Sequence, residues 1–197
     1  PISETGEVDL FKLLKESLRQ RPDYIIVGEV RGREAYILFQ QMATGHPSLA
    51  TIHAENLPKL VDRLTTQPIN LPVGLIDSLD LTVFINRIRH KEKFIRRVTE
   101  IIEVIGYDTE AGEPIVNTIF RWNPETDKID VVGKSVMMKK IGDRSGLKEK
   151  DIVDELERRM LVLKWMKENN INNYIDVSKV INAYYSYPEE TLAAMLG

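Results

Sequence analysis

Two strand ends in this sequence carry side chains that can act on a phosphate group. The apolar run 24–27 is followed at once by Gly28 and Glu29, and a second short run, 48–52, ends at His53. Ligands of open α/β sheets collect beyond the carboxyl ends of parallel strands, so both side chains are expected at that edge. A carboxylate there can orient an attacking water or hold the hydration shell of a magnesium ion during phosphoryl transfer.

Ordinary structural roles are open for the same two residues. Glu29 would also serve to solvate a turn, and on pattern alone that interpretation is favoured by about two to one. A single histidine at a strand end, such as His53, usually makes structural hydrogen bonds. The pattern therefore leaves the function of both residues open.

A metal site is not predicted. His46 and His53 are seven residues apart and a predicted strand separates them. Histidines that share a helix face are three or four residues apart, and no nearby carboxylate pattern completes a set of ligands.

The segment 133–135, Gly-Lys-Ser, resembles the end of a phosphate-binding loop. Such a loop needs another glycine five positions earlier, and Lys128 stands there. Because the segment follows a predicted strand, we expect a hairpin turn. The sequence contains no other Gly-Lys-Ser or Gly-Lys-Thr.

The densest positive charge lies in Arg87, Arg89, Lys91, Lys93, Arg96 and Arg97. Its lysines are typical of a solvated hairpin turn. The four arginines could present guanidinium groups to a phosphate or carboxylate of a partner, because arginine pairs bidentately and lysine offers a point charge.

The composition of the sequence argues against several classes of protein and of binding site. The 197 residues are 43% hydrophobic and 29% charged, with a net charge of -3 and a pI near 5.7, so no global field favours nucleic acid. Without cysteine there is no disulfide framework and no cysteine zinc site. No apolar run approaches the ~20 residues of a membrane span. Since the sequence begins at Pro1 without an initiator methionine, we expect a piece of a longer protein.

Periodicity predicts an α/β layer followed by antiparallel strands. Helices are expected over residues 8–21, 33–44, 58–66 and 72–78, around strands 24–27 and 48–52 that are buried on both faces. Strands over 81–89, 94–105, 115–122 and 128–132 form a meander.

The end of the chain is predicted to be a helical appendage. The first of its helices places Ile152, Leu156, Met160 and Leu163 on one face, and shorter helices cover 177–185 and 189–196. With residues 142–146 as the linker, the predicted domains are 1–141 and 147–197.

Two longer segments carry a family resemblance. Residues 21–32 (RPDYIIVGEVRG) and 44–56 (TGHPSLATIHAEN) resemble the Walker B segment and histidine box of type II/IV secretion ATPases. Residues 61–64 also resemble this family, and residues 96–101 and 120–124 resemble its archaeal branch, which includes the archaellum motor ATPase and GspE-like proteins. The absence of a four-cysteine zinc motif supports an archaeal-type member.

This resemblance implies the C-terminal part of a RecA-like ATPase core that acts on ATP with Mg²⁺. Glu29 would be the catalytic glutamate, which polarises the attacking water, and no side chain would bind the metal directly. Positions that contact the nucleotide would be Gly28, His46 and His53. Positions with a structural or interface role would be Arg31 and Arg63.

The resemblance also implies an assembly. The parent would be a cytoplasmic homohexamer at the inner face of the cell membrane, docked on a platform protein, without nucleic acid, and would power a pilus, archaellum or secretion pseudopilus. The family's phosphate-binding loop, Asp box and N-terminal domain would precede Pro1, so this chain alone is expected to be inactive. The alternative is a non-catalytic interaction module that retains the fold, and the residues encoded before Pro1 would discriminate between the two.

Overall fold

The computed structural model describes residues 8–196, which form two compact units divided between Met137 and Met138. Each unit has its own hydrophobic core. None of the helices in the described residues is long and apolar enough to cross a membrane.

The first unit begins with helices that alternate with two short strands. The elements are α1 (Leu10–Ser17), a 3₁₀ turn (Leu18–Gln20), β1 (Ile25–Val27), α2 (Glu34–Ala43), β2 (Ser48–Ala50), α3 (Leu57–Thr65) and a second 3₁₀ turn (Val73–Ser78). Side-chain caps begin two of the helices: the Asp9 carboxylate accepts the Lys12 amide at 2.8 Å, and the Asn56 side chain accepts the Lys59 amide at 3.0 Å. Gly45, with φ of 89°, follows the end of α2.

Strands β1 and β2 pair in parallel, with Ile26 opposite Leu49. Their burial differs from the prediction, because Ile26 is 74% exposed and Leu49 is 61% exposed. Ile25 and Val27 point to the other face and lie in the core. The expectation of burial on both faces was wrong, since the described residues cover only one face of this two-stranded sheet.

Four antiparallel strands then form the predicted meander in sequential order. They are β3 (Leu81–His90), β4 (Lys93–Asp108), β5 (Glu113–Asn123) and β6 (Lys128–Val131). Lys91 and Glu92 both have positive φ, as the two-residue turn between β3 and β4 requires. Phe84 and Ile102 join the core of the first unit. This arrangement confirms the antiparallel sheet.

Helix α4 (Val136–Ser145) was not predicted. It includes Gly142 and Ser145, so most of the expected linker is helical. The segment 133–135 leads into this helix and does not form a hairpin turn. The domain ranges 1–141 and 147–197 stay a prediction.

The second unit confirms the C-terminal helices α5 (Glu149–Glu168), α6 (Tyr174–Ser186) and α7 (Pro188–Leu196). Its core is Val162, Met166, Tyr184 and Leu192.

The buried face of α5 differs from the predicted one. Ile152 is buried, but Met160 is 60% exposed and Leu163 is 61% exposed, and Leu156 is also exposed. The packed face instead carries the buried Val162 and Met166, together with Glu155, whose Oε2 accepts a hydrogen bond from the Tyr184 hydroxyl at 3.0 Å. Apolar residues at helical spacing occur on more than one face of α5, so spacing alone did not decide which face is buried.

Candidate functional site

The loop after β1 is held against the end of β2 by one side-chain and one backbone hydrogen bond beyond the paired strands. The Thr51 hydroxyl donates to the Gly28 carbonyl at 2.5 Å, and the Val30 amide donates to the Thr51 carbonyl at 2.8 Å. Val30 is 2% exposed and anchors the loop in the core. These contacts bring Glu29 and His53 to the same edge of the sheet, as the strand pattern predicted.

The two carboxylate oxygens of Glu29 have different surroundings. Oε2 accepts a hydrogen bond from the Arg31 guanidinium. Oε1 lies 3.1 Å from His53 Nε2, within ion-pair distance, but the geometry is not that of a hydrogen bond. Oε1 is shielded from solvent and accepts no hydrogen bond from the described residues. One oxygen is therefore fixed, and the other retains hydrogen-bonding capacity.

Positive charge surrounds this carboxylate. The hydrogen bond from Arg31 is the main reason that the pKa of Glu29 lies below its ordinary value, while desolvation opposes the shift. The charges of Arg31, His53 and Arg63 lower the pKa further. Glu29 is consequently an ionised acceptor at neutral pH. Two arginines assigned by the resemblance, Arg31 and Arg63, are thus electrostatic neighbours of Glu29.

Glu34 is a further carboxylate at this site, and sequence reasoning missed it. Its Oε1 atom accepts the Arg31 amide at 2.6 Å and the Gly32 amide at 2.8 Å. Desolvation opposes ionisation of Glu34, but its hydrogen bonds to backbone amides outweigh it and lower its pKa. The signal in the sequence was a glutamate in the first turn of the predicted helix 33–44, shortly after Glu29.

His46 is not brought to the same edge. It precedes β2, whereas His53 follows β2, so the two histidines flank opposite ends of the strand. His46 Nδ1 lies 3.2 Å from the Thr44 hydroxyl. Around Gly28, the position that a Cβ would occupy has no heavy atom within 4 Å, so the backbone there is open to approach.

The four arginines of the meander have separate environments. Arg97 donates through Nε and Nη2 to the two oxygens of Asp127, each at 2.8 Å. The Arg87 guanidinium lies 4.5 Å from the centre of the Phe94 ring. Two other arginines are exposed: Arg89 and Arg96. Arg97 is thus engaged within the chain, while the other three remain on the surface.

Residues 135–137, at the end of the Gly-Lys-Ser segment, bind a carboxylate of the protein itself. The carboxylate of Glu103 accepts the Val136 amide at 2.8 Å and the Met137 amide at 3.1 Å, at the start of α4. The Ser135 hydroxyl and the Asn117 side-chain amide also donate to it. Glu103 is 1% exposed, so its buried carboxylate holds residues 135–137 to strand β4.

The described residues contain no group of three or more His, Cys, Asp or Glu side chains arranged to hold a metal ion. A direct protein-bound metal was not predicted for this sequence. The chemical capacity of the site lies in the carboxylate of Glu29 and its cationic neighbours.

Comparison with known proteins gives the family. The family model described as "Type II/IV secretion system protein" matches residues 1–116. The uncharacterized protein MJ1287 of Methanocaldococcus jannaschii is 39% identical over 93% of this chain and 68% of its own length. The uncharacterized protein MJ0900 of the same organism is 39% identical over 92% of this chain.

The chain spans only 34% of the length of MJ0900. A bacterial relative, the type IV pilus ATPase PilU of Pseudomonas aeruginosa, is 44% identical over 29% of this chain and 16% of its own length. The resemblance seen in residues 21–32 and 44–56 is confirmed at the level of the family. On the match to more than half of its residues, this chain belongs to the type II/IV secretion system protein family.

Proposed function

We propose that this chain supplies the carboxylate and histidine side of an ATP-hydrolysing site. The observation that carries the proposal is Glu29 at the joined ends of two parallel strands, with Oε2 held by Arg31 and Oε1 shielded but without a hydrogen bond from the described residues. The name of the relative PilU, a type IV pilus ATPase, supports the same chemistry.

In this proposal Glu29 orients the attacking water by accepting a hydrogen bond. The Arg31 contact limits rotation of the carboxylate and so directs Oε1. Because the pKa of Glu29 is lowered, the group is ionised and ready to accept at neutral pH. The same shift makes it a weak base, which favours orientation of the water over storage of its proton.

The residues present fit a nucleotide with Mg²⁺. Oε1 of Glu29 retains hydrogen-bonding capacity, and the open backbone around Gly28 leaves room for a phosphate or its hydration shell. When bound, Mg²⁺ neutralises phosphate charge. Glu29 would face the water or the metal's hydration shell, and the exposed His53 ring would approach the nucleotide. The resemblance also assigns His46 to the nucleotide, although it lies at the other end of β2.

The larger assignments rest on the family. We propose a RecA-like core in a cytoplasmic homohexamer that docks on a membrane platform protein at the inner face of the membrane and powers a pilus, archaellum or secretion pseudopilus. The exposed arginines Arg87, Arg89 and Arg96 are candidates for contacts between subunits. Arg97 is a weaker candidate because Asp127 occupies its guanidinium.

The test is Glu29→Gln in a complete ATPase, meaning a chain in which a phosphate-binding loop precedes these 197 residues. Gln preserves size but not the charge, so we expect kcat to fall about 100- to 10,000-fold with nucleotide affinity retained. Glu16→Gln, at an exposed glutamate of α1, is the matched control and should leave both unchanged. Turnover of Glu29→Gln close to the parent rate would contradict the catalytic assignment.

Calorimetry on the 197-residue chain tests whether tight ATP binding requires a phosphate-binding loop in addition to these residues. We expect weak or undetectable ATP binding, because the amides and lysine of a phosphate-binding loop supply most of the phosphate affinity in such enzymes. Tight, Mg²⁺-dependent binding by this chain would show that the nucleotide site lies elsewhere. If a complete ATPase neither bound nor hydrolysed ATP, the non-catalytic interaction module would replace this proposal.

A further inference from the structure

The loop that carries Glu29 is fixed from two sides. On the β2 side, Thr51 bonds to Gly28 and Val30 through its hydroxyl and carbonyl. On the α2 side, the single oxygen Oε1 of Glu34 accepts two consecutive amides of the loop, those of Arg31 and Gly32, at 2.6 and 2.8 Å.

Glu34 is well placed to hold the second half of the loop. It is the first residue of α2 and is 9% exposed, so its carboxylate competes little with solvent. Hydrogen bonds to an ionised acceptor are about twice as strong as those between neutral groups. The next residue, Ala35, is fully buried and fixes the start of the helix in the core.

The Arg31 backbone links this contact to Glu29. The guanidinium of Arg31 bonds Glu29 Oε2, while the amide of the same residue bonds Glu34 Oε1. A shift of the Arg31 backbone would therefore move the group that orients the Glu29 carboxylate. Thr51 does not prevent such a shift, because its bonds end at Val30.

The geometry points to Glu34 as a positioning residue that sets the direction of the Glu29 carboxylate through the backbone of Arg31 and Gly32. This assignment rests on the proposed catalytic role of Glu29. Glu34 acts only through the loop and does not touch the reacting atoms. Its removal should lower the rate of turnover with little effect on nucleotide binding.

A substitution at Gly32 tests the contact between Glu34 and the loop independently. A Cβ on Gly32 would lie 3.2 Å from Glu34 Oε2. Gly32→Ala should therefore displace the Glu34 carboxylate when it is present and have much less effect when residue 34 is alanine. Effects of the two substitutions should be non-additive, as expected for residues in direct contact.

The structural half is tested in the 197-residue protein by amide hydrogen exchange followed by NMR. Glu34→Ala should speed exchange of the Arg31 and Gly32 amides by about tenfold or more, because both lose a charge-assisted hydrogen bond. Glu34→Gln should speed it by less than about threefold, since one amide oxygen can accept both N–H groups. Glu16→Ala, which removes an exposed carboxylate from α1, is the control and should change neither amide.

The functional half is tested in the complete ATPase. Glu34→Ala should lower kcat about 10- to 100-fold with nucleotide affinity unchanged, because small misplacements of a catalytic group have costs of this size. Glu34→Gln should restore most of the rate. A merely structural role would instead lower kcat and affinity together or leave both unchanged.

The outcomes separate this inference from the proposed function. Unchanged exchange at both amides in Glu34→Ala overturns it, as does parental kcat in that variant when Glu29→Gln is inactive. If Glu29→Gln retains full turnover while the exchange result holds, the proposed function fails and Glu34 keeps only its hold on the loop. If Glu34→Ala does not fold, exchange in Gly32→Ala decides: unchanged protection of the amides of residues 31 and 32 overturns the inference.

Discussion

Glu29 and Glu103 are both glutamates beside a glycine-containing segment that leads to a helix, yet their carboxylates are satisfied to different degrees. The oxygens of Glu103 receive four hydrogen bonds, from Asn117, Ser135, Val136 and Met137, and the residue is 1% exposed. Glu29 receives one, from Arg31, and its side chain is 25% exposed.

This difference indicates that Glu103 stabilises the fold, whereas Glu29 is able to bind a further group. Burial opposes ionisation of Glu103, but its hydrogen bonds outweigh burial and hold its pKa below the ordinary value. No acceptor capacity is left for a ligand. Glu29 also has a lowered pKa, chiefly through Arg31, but keeps one oxygen without a hydrogen bond from the described residues. A carboxylate with spare capacity at the edge of a sheet is suited to bind a water or a ligand.

The largest expected effect is a difference in kcat between variants of the two glutamates. In the complete ATPase, Glu29→Gln should lower kcat about 100- to 10,000-fold, while Glu103→Gln, assayed where it is still folded, should lower it less than about tenfold. Steady-state kinetics with nucleotide affinity measured in parallel checks both values. Equal losses in the two variants would remove the distinction between them.

Stability should show the reverse order. In Glu103→Gln, an NH₂ group replaces one acceptor oxygen and faces groups that donate hydrogen bonds. We expect the free energy of unfolding to fall by roughly 2–4 kcal/mol, because buried donors lose their acceptor. Glu29→Gln should leave it nearly unchanged. Urea denaturation of the 197-residue protein measures both, and a Glu103→Gln variant as stable as the parent would disprove the structural role.

The contribution of Glu103 to the free energy of unfolding should depend on pH, and urea denaturation at different pH values measures it. Because its folded-state pKa is lowered, the stability it contributes is fully present above the unfolded-state pKa of about 4.3 and is lost as pH falls through the folded value. Between pH 7 and pH 3, the parent should therefore lose more stability than Glu103→Gln. Parallel pH profiles for the two proteins would contradict this assignment, since other carboxylates titrate equally in both.

The smallest effects concern the arginines of the meander. Arg97→Ala removes the paired contacts to Asp127 and should lower the midpoint of thermal unfolding by less than Glu103→Gln does, because the pair is partly solvent-screened. Arg89→Ala should leave the midpoint unchanged. Calorimetry of both variants checks this difference, and equal midpoints would place Arg97 with the surface arginines.

A related experiment tests whether the exposed arginines of the meander contribute to contacts between subunits. Charge reversal of Arg87, Arg89 and Arg96 in the complete ATPase should weaken its assembly in sedimentation experiments, because each guanidinium lies on the surface. Reversal of Lys139 and Lys140, which lie in α4 and outside the meander strands, is the comparison. Unchanged assembly and turnover would assign the three arginines to a solvated face.

The sequence by itself determined most of the elements, though not α4, and the edge of the sheet at which Glu29 and His53 meet. Apolar runs that end abruptly mark short strands, and the carboxyl ends of parallel strands lie at one edge, so local order was sufficient to place both residues. Alternation and turn residues likewise identified the four-stranded meander. The two family segments, 21–32 and 44–56, were recognisable because their residues are contiguous.

Only the tertiary structure decided which carboxylate has its hydrogen bonds made within the protein, and which faces of the strands and helices are covered. Glu103 reaches Ser135, Val136 and Met137 across 32 to 34 residues of sequence, a contact that no local period records. The exposed face of Ile26 and the choice of the packed face of α5 depend in the same way on neighbouring elements. Hydrophobic periodicity reports which side chains leave water, whereas the partners of a buried charge are chosen by contacts distant in sequence.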